Sequence, residues 1–79
     1  MKKNPTLVKL GQQIRQARGK VGFSQEEFAY RADLDRTYVG GVERGERNLG
    51  ILNLFKLAAA LNMPASTLIK GISLRKEEK

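Results

Sequence analysis

Cysteine, histidine and tryptophan are all absent from the 79 residues of this chain. No disulfide can supplement the core, and the commonest metal ligands and the usual acid–base group of neutral pH are missing. Metal-dependent and hydrolytic chemistry therefore has little to draw on, and no titratable constellation of the kind an enzyme needs can be assembled. Aromatic residues are few, three Phe and two Tyr, which weighs against an RNA-binding surface built from stacking platforms. An apolar run of transmembrane length is missing too. Lys2 and Lys3 resemble the basic start of a secretory signal, but no apolar segment follows them, so the expected compartment is the cytoplasm. The length suits a single domain, residues 1–79 with a short C-terminal tail, and is too small for a second core.

What is present is positive charge, unevenly placed. Lys and Arg number 15 against 8 Asp and Glu, a formal net charge of +7, and such a balance favours a polyanionic partner. Residues 1–20 carry six bases (Lys2, Lys3, Lys9, Arg15, Arg18, Lys20) and no acid, whereas residues 21–50 carry four bases and six acids. Any surface in the middle of the chain that meets a polyanion must turn its acids inward or away.

That middle stretch holds two helix starts separated by a very short turn. Ser24 can accept from the backbone N–H three residues on while Glu27 reaches back to Ser24, a capping box, with Phe23 and Phe28 as the flanking apolar staple. Asp35, eleven positions later, is a second good N-cap. The first helix must therefore end near Ala32 or Asp33 after about two turns, with Asp33 as the left-handed turn residue at a cost of about 1–2 kcal/mol. At 100° per residue, Val39 and Val42 fall on one side of the second helix and Arg36, Thr37, Gly40, Gly41 and Arg44 on the other. The second face carries no acid. It is what a DNA major groove accepts, because Arg pairs bidentately with guanine and Thr offers a hydroxyl and a methyl to thymine. An ordinary solvated face is the plain alternative. Each glycine costs a helix interior roughly 0.5–1 kcal/mol, which makes sense if the backbone must approach something closely, a DNA surface or a neighbour in the core.

The flanking segments read as support. Asn4 and Pro5 open a helix in which Leu7, Leu10, Ile14, Ala17 and Val21 recur at helical spacing to about Lys20, with Gly19 and Gly22 marking its end. Lys2 and Lys3 before it read as a solvated terminus or a mobile arm. Gly50 precedes a segment, Ile51 to Leu61, apolar except for Asn53 and Lys56. A helix apolar nearly all round is normally buried, so this one is expected at the centre of the core. Asn62 suits a left-handed cap, and Pro64 opens a last short helix through about Lys70, ended by Gly71. The sum is an all-α, compact five-helix domain containing a helix-turn-helix.

The runs SQEEFAYRADLDRTYVGGVERGERN and LFKLAAALNMPASTLIKG resemble regulators of the Cro and phage-repressor (XRE) type over roughly residues 7 to 71. Within them, LDRTYVGGVERGERN is similar to the small controller proteins of restriction-modification systems. The resemblance implies a repressor-like fold and sequence-specific binding to double-stranded DNA. It places Gln25, Tyr38, Arg47 and Asn48 where such proteins touch phosphates, and Arg36 and Thr37 at the leading base-reading positions. It also implies that Arg18 and Glu43 are paired as a structural salt bridge, which fits the need to keep Glu43 off the reading face. Two departures stand out: Asp33 sits where the family prefers Gly, and Gly40 and Gly41 replace side chains that often read bases.

The expected activity is thus transcriptional regulation by a homodimer on a palindromic or nearly palindromic operator, with restriction-modification genes as a candidate target and RNA polymerase as a further candidate partner. No cofactor, metal or membrane enters this reading. Arg36, one residue beyond the Asp35 cap, is expected to carry most of the specificity, with Thr37 and Arg44 beside it. The competing arrangement holds Arg36 to phosphate, or to Asp33 or Asp35, and leaves reading to Thr37 and Arg44. Leu68, Ile69, Ile72 and Leu74 offer more apolar surface than a short terminus can bury and are expected to form the dimer interface. The closing run 75–79 is expected to be disordered. An antitoxin or other protein-binding module could use the same fold, although only about eight residues follow Gly71.

Overall fold

The computed structural model describes residues 3–74 and contains five helices in the order α1 (Pro5–Val21), α2 (Gln25–Ala32), α3 (Arg36–Glu43), α4 (Ile51–Ala60) and α5 (Ala65–Leu68). Among these residues there is no strand. The expectation about 75–79 lies outside the described residues, as does the part of the N-terminal reading that concerns Lys2.

The first three helix starts carry side-chain caps. Asn4 Oδ1 accepts from the backbone N–H groups of Thr6 and Leu7, with Pro5 opening the first turn of α1, where its missing N–H costs nothing. Ser24 Oγ accepts from Glu27 N at 3.0 Å. The reciprocal half of the expected capping box is replaced: the Glu27 carboxylate pairs with Arg31 one turn along α2, and Arg31 in turn lies 4.7 Å from the centre of the Phe23 ring. Asp35 caps α3 through Thr37 N and Tyr38 N.

Four of the helices end in left-handed residues with a bond back across the last turn, the Schellman arrangement. Gly22 (φ 93°) closes α1, with Phe23 N donating to Arg18 O at 3.2 Å. Asp33 (φ 57°) closes α2, with Leu34 N donating to Ala29 O at 2.9 Å. Gly45 (φ 77°) follows α3, with Glu46 N donating to Gly41 O at 2.9 Å. Asn62 (φ 56°) follows α4, with Met63 N donating to Ala58 O. Asp33 and Asn62 match the sequence expectation. The last helix is shorter than expected, a single turn with Pro64 as its cap.

α3 packs on both α1 and α2, α4 on α2 and α5, and α5 returns to α1. The core consists of Ile14, Phe28, Val39, Val42, Leu57 and Leu68, all fully buried, with Ala29, Ala32, Leu54, Ala58 and Leu61 around them. α1 and α3 cross at Gly11, where a Cβ would fall 2.6 Å from Glu43 O and also against Val42 O. No side chain fits there, so the two backbones touch.

Two expectations are corrected. α4 is not wrapped by the core: Leu54, Leu57 and Ala58 face inward, while Ile51, Leu52 and Phe55 are 63, 73 and 54 % exposed. At helical spacing these three residues occupy one arc of about 100°. The short α5 and the small core leave nothing to cover it. Leu68, expected at a dimer contact, is 1 % exposed and belongs to the chain's own core. The segment after it is tied to α1, because Gln13 Nε2 donates to Leu68 O at 2.6 Å and Lys9 Nζ to Gly71 O at 3.4 Å. Ile72 is half-buried, and Ile69 and Leu74 remain exposed.

Candidate nucleic-acid interface

The site is built around the two ends of α3. At its start, the Asp35 cap fixes the direction of the first turn and leaves Arg36 and Thr37 exposed beside it. Among the described residues Arg36 makes no ion pair with Asp33 or Asp35, so its guanidinium is available to a ligand. Thr37 likewise presents its side chain outward.

At its other end, α3 is anchored by a buried charge pair. Arg18 Nε donates to Glu43 Oε2 at 2.7 Å and Arg18 Nη2 to Glu43 Oε1 at 2.9 Å, a bidentate fork, with the Glu43 side chain only 2 % exposed. Arg18 Nη1 also donates to Phe23 O, tying the end of α1 to the start of the helix-turn-helix. The hydrogen bond to Glu43 raises the Arg18 pKa further above its ordinary value despite burial. A fork of this kind matches charge and geometry at once. It removes the only acid of α3 from the outer surface, as the sequence required.

Gln25 completes this network in a way the sequence did not reveal. Its Nε2 donates to Glu43 Oε1 at 2.9 Å, so one amide hydrogen of this expected phosphate ligand is committed inside the protein. The glycines are also placed differently from the sequence reading. Gly40 and Gly41 are buried, not spread on an open face. A Cβ on Gly40 would stand 3.2 Å from Arg44 Nη1 and 3.5 Å from Gln25 Oε1, and one on Gly41 would stand 2.8 Å from Arg47 Cγ. What approaches the bare backbone is the protein's own side chains: Arg44 lies along Gly40 and Arg47 along Gly41.

Arg47 lies with its guanidinium 5.7 Å from the centre of the Tyr38 ring, and the Tyr38 hydroxyl accepts from Asn53 Nδ2 of α4 at 3.1 Å. Tyr38 and Arg47 therefore stack together, while Asn48 is exposed beyond them. Arg44, expected to read bases, donates from Nε to Glu46 Oε1 at 3.0 Å, and Lys3 Nζ stands 3.6 Å from Glu46 Oε2. The Arg44 hydrogen bond, aided by the nearby Lys3 charge, holds the Glu46 carboxyl below its ordinary range. Lys3 is thus engaged, contrary to the reading of a purely solvated terminus.

The structure brings Arg36, Thr37, Tyr38, Arg44, Arg47 and Asn48 onto α3 and the loop after it, with Gln25 joined through Glu43. Sequence reasoning missed Asn53, Glu46 and Gly11. Of these, only Gly11 left a signal, a glycine within α1 beside the apolar stripe of Leu7, Leu10 and Ile14. Among the described residues no group of three or more His, Cys, Asp or Glu could hold a metal, and no helix is long and apolar enough to cross a membrane.

The comparisons agree with this geometry. Residues 14–68 match the family model described as Helix-turn-helix. Control protein C.MunI from Mycoplasma sp is 39 % identical over 70 residues, spanning 87 % of this chain and 95 % of that one. The crystal structure of the restriction-modification controller protein C.AhdI from Aeromonas hydrophila superposes with a TM-score of 0.78 at 52 % identity, covering 78 % of this chain and 94 % of that chain. The controller protein C.Esp1396I, solved bound to a 19 base pair DNA duplex, gives 0.77 at 35 % identity, covering 84 % of this chain and 88 % of that one; it has also been solved as a tetramer on its natural 35 base-pair operator. With the family model covering most of the chain and full-length relatives of this kind, the protein belongs to the XRE-type helix-turn-helix family of DNA-binding transcriptional regulators.

Proposed function

We propose that the protein is a controller of restriction-modification genes that binds a palindromic or nearly palindromic operator as a homodimer. It acts by binding and not by catalysis, and its compartment is the cytoplasm. The observation that carries the reading is the acid-free, exposed start of α3, with Arg36 and Thr37 outward and the helix locked from behind by the Arg18–Glu43 fork. Arg36 is the principal base reader, directed at guanine O6 and N7. Thr37 and Arg44 contribute beside it, and Tyr38, Arg47, Asn48 and Gln25 contact phosphates.

A dimer is supported by the exposed apolar arc of α4, Ile51, Leu52 and Phe55, which is large for a chain of this size to leave in water. Ile69 and Leu74 extend the expected surface, Ile72 contributes its exposed part, and Leu68 is no longer part of it. A regulator that raises transcription from its operator does so through RNA polymerase, which is the further partner of an activating arrangement. The test is selection of bound sequences from a random duplex pool with the full-length protein. Recovery of a two-fold symmetric site with half-sites about one helical turn apart is the expected result. Recovery of no consensus would overturn the reading and favour a protein-interaction role.

A further inference from the structure

Glu46 is an acid in the wrong place for a DNA-binding loop. It lies between Arg44 and Arg47, and a free carboxylate there would repel phosphate. Its position is not loose. Gly45 before it holds a left-handed conformation (φ 77°) against α1, where a Cβ would stand 2.7 Å from Val8 Cα, and the Glu46 backbone N–H is bonded to Gly41 O. The backbone therefore delivers the carboxylate to one spot, where it takes Arg44 Nε on one oxygen and Lys3 Nζ on the other. Arg44 is bonded at Nε to Glu46, and its Nη1 lies over Gly40, where a Cβ would stand only 3.2 Å away.

We propose that Glu46 is a specificity-determining residue, which positions Arg44 for a base edge and withholds Arg44 and Lys3 from phosphates. This rests on the DNA-binding reading above. Two consequences follow from the geometry. A phosphate that recruits either cation must displace a carboxylate already there, an exchange of one anion for another that gains little. Binding to arbitrary DNA is thereby weakened, because it depends on charge neutralised and counterions released. With Nε held, the terminal amino groups of Arg44 remain to address a base, and a guanidinium fixed at one end loses less freedom on binding. Glu46 thus acts in opposite directions on the two classes of DNA.

The experiment compares wild type with Glu46→Gln on the selected operator, on its single-base variants and on a scrambled duplex, across a salt series. Glu46→Gln is expected to bind scrambled DNA about three- to tenfold more tightly, with the salt slope steeper by roughly one unit. The preference for operator over scrambled DNA falls, and discrimination flattens at the base pair addressed by Arg44. In an Arg44→Ala background the same substitution leaves base discrimination unchanged. A uniform gain on every sequence, with the operator preference preserved, overturns the proposal and reduces Glu46 to one repulsive charge. Failure of the wild-type protein to prefer any sequence would instead overturn the underlying function, so the two failures are distinguishable.

Discussion

Two Arg–Glu pairs flank the C-terminal end of α3 and share the same chemistry, but they sit in different surroundings. Arg18 and Glu43 have side chains 16 and 2 % exposed and meet through a two-bond fork, while Arg44 and Glu46 are 55 and 44 % exposed and meet through one bond. In the first pair the Glu43 carboxylate has been taken out of water and Arg18 is half-buried over it, so removing Arg18 strands a charge in the interior. In the second, water can replace either partner at once. Burial, not residue type, makes the first a structural anchor and leaves the second with little bearing on stability.

The sharpest way to break this contrast is Arg18→Ala. It leaves the Glu43 carboxylate buried with only Gln25 for company, and the expected loss is about 3–5 kcal/mol of stability, a fall in Tm on the order of 15 °C or more by calorimetry. Glu46→Gln, by comparison, should leave Tm unchanged. Replacing Arg18 and Glu43 together by Met and Leu should recover most of the loss, since a buried pair exchanged for apolar packing is often neutral. No recovery would mean that the fork specifies the crossing of α1 and α3 as well as satisfying charge.

Next in size is the exposed arc of α4. Leu52→Glu or Phe55→Glu should convert the dimer to monomer at micromolar concentration in sedimentation, with unchanged helical circular dichroism and at least a tenfold loss of operator affinity. A chain ending at Lys70 removes Ile72 and Leu74 but keeps the arc. If that chain is monomeric while both α4 variants remain dimers, the terminus and not α4 is the contact.

Smaller effects separate the cations of the reading surface. Arg36→Ala should cost roughly 1–3 kcal/mol on the operator and flatten preference at one base pair of each half-site. Arg47→Ala should weaken all sequences about equally and reduce the salt slope by about one unit. An unchanged rank order for Arg36→Ala would assign it to phosphate and pass the reading to Thr37 and Arg44. The smallest effect is one of pH. The Glu46 pKa is lowered by its bond to Arg44, so the contact is intact above the ordinary glutamate value and is lost only as pH falls through the lowered one. The difference between wild type and Glu46→Gln on scrambled DNA should therefore persist through pH 5 and close only below the ordinary value near 4.5.

How much of this could be read from the chain follows from the range of the interactions concerned. Caps and turns are local, so Asn4, Ser24, Asp33, Asp35 and Asn62 were legible one by one. The Arg18–Glu43 pair was reached through family resemblance, and no spacing rule would have joined residues 25 apart. The covered side of α4 is not legible, because a nearly all-apolar helix carries no periodic signal for it. Gly40 and Gly41 were placed on an open face because helical phase gives direction but not the reach of Arg44 and Arg47 across it. The Glu46 contacts are not legible in the sequence, because they depend on where Lys3 arrives from before the start of α1.

The near-contact of backbones at Gly11 has a dynamic consequence. α3 is eight residues long, and two of them are glycine. Such a segment has no helical persistence by itself, since a helix this short scarcely survives nucleation in water. Its order is lent by α2 and by α1, twice its length, the latter across a crossing with no side chain between the two backbones. The two helices should consequently open as one cooperative unit, and the buried amides of Val39, Val42 and Glu43 should exchange hydrogen for deuterium at the rate of those at Gly11 and Ile14, close to the rate of global unfolding. Gly11→Ala would sever the part of that loan made by α1, and α3 would be the first part of the molecule to lose protection.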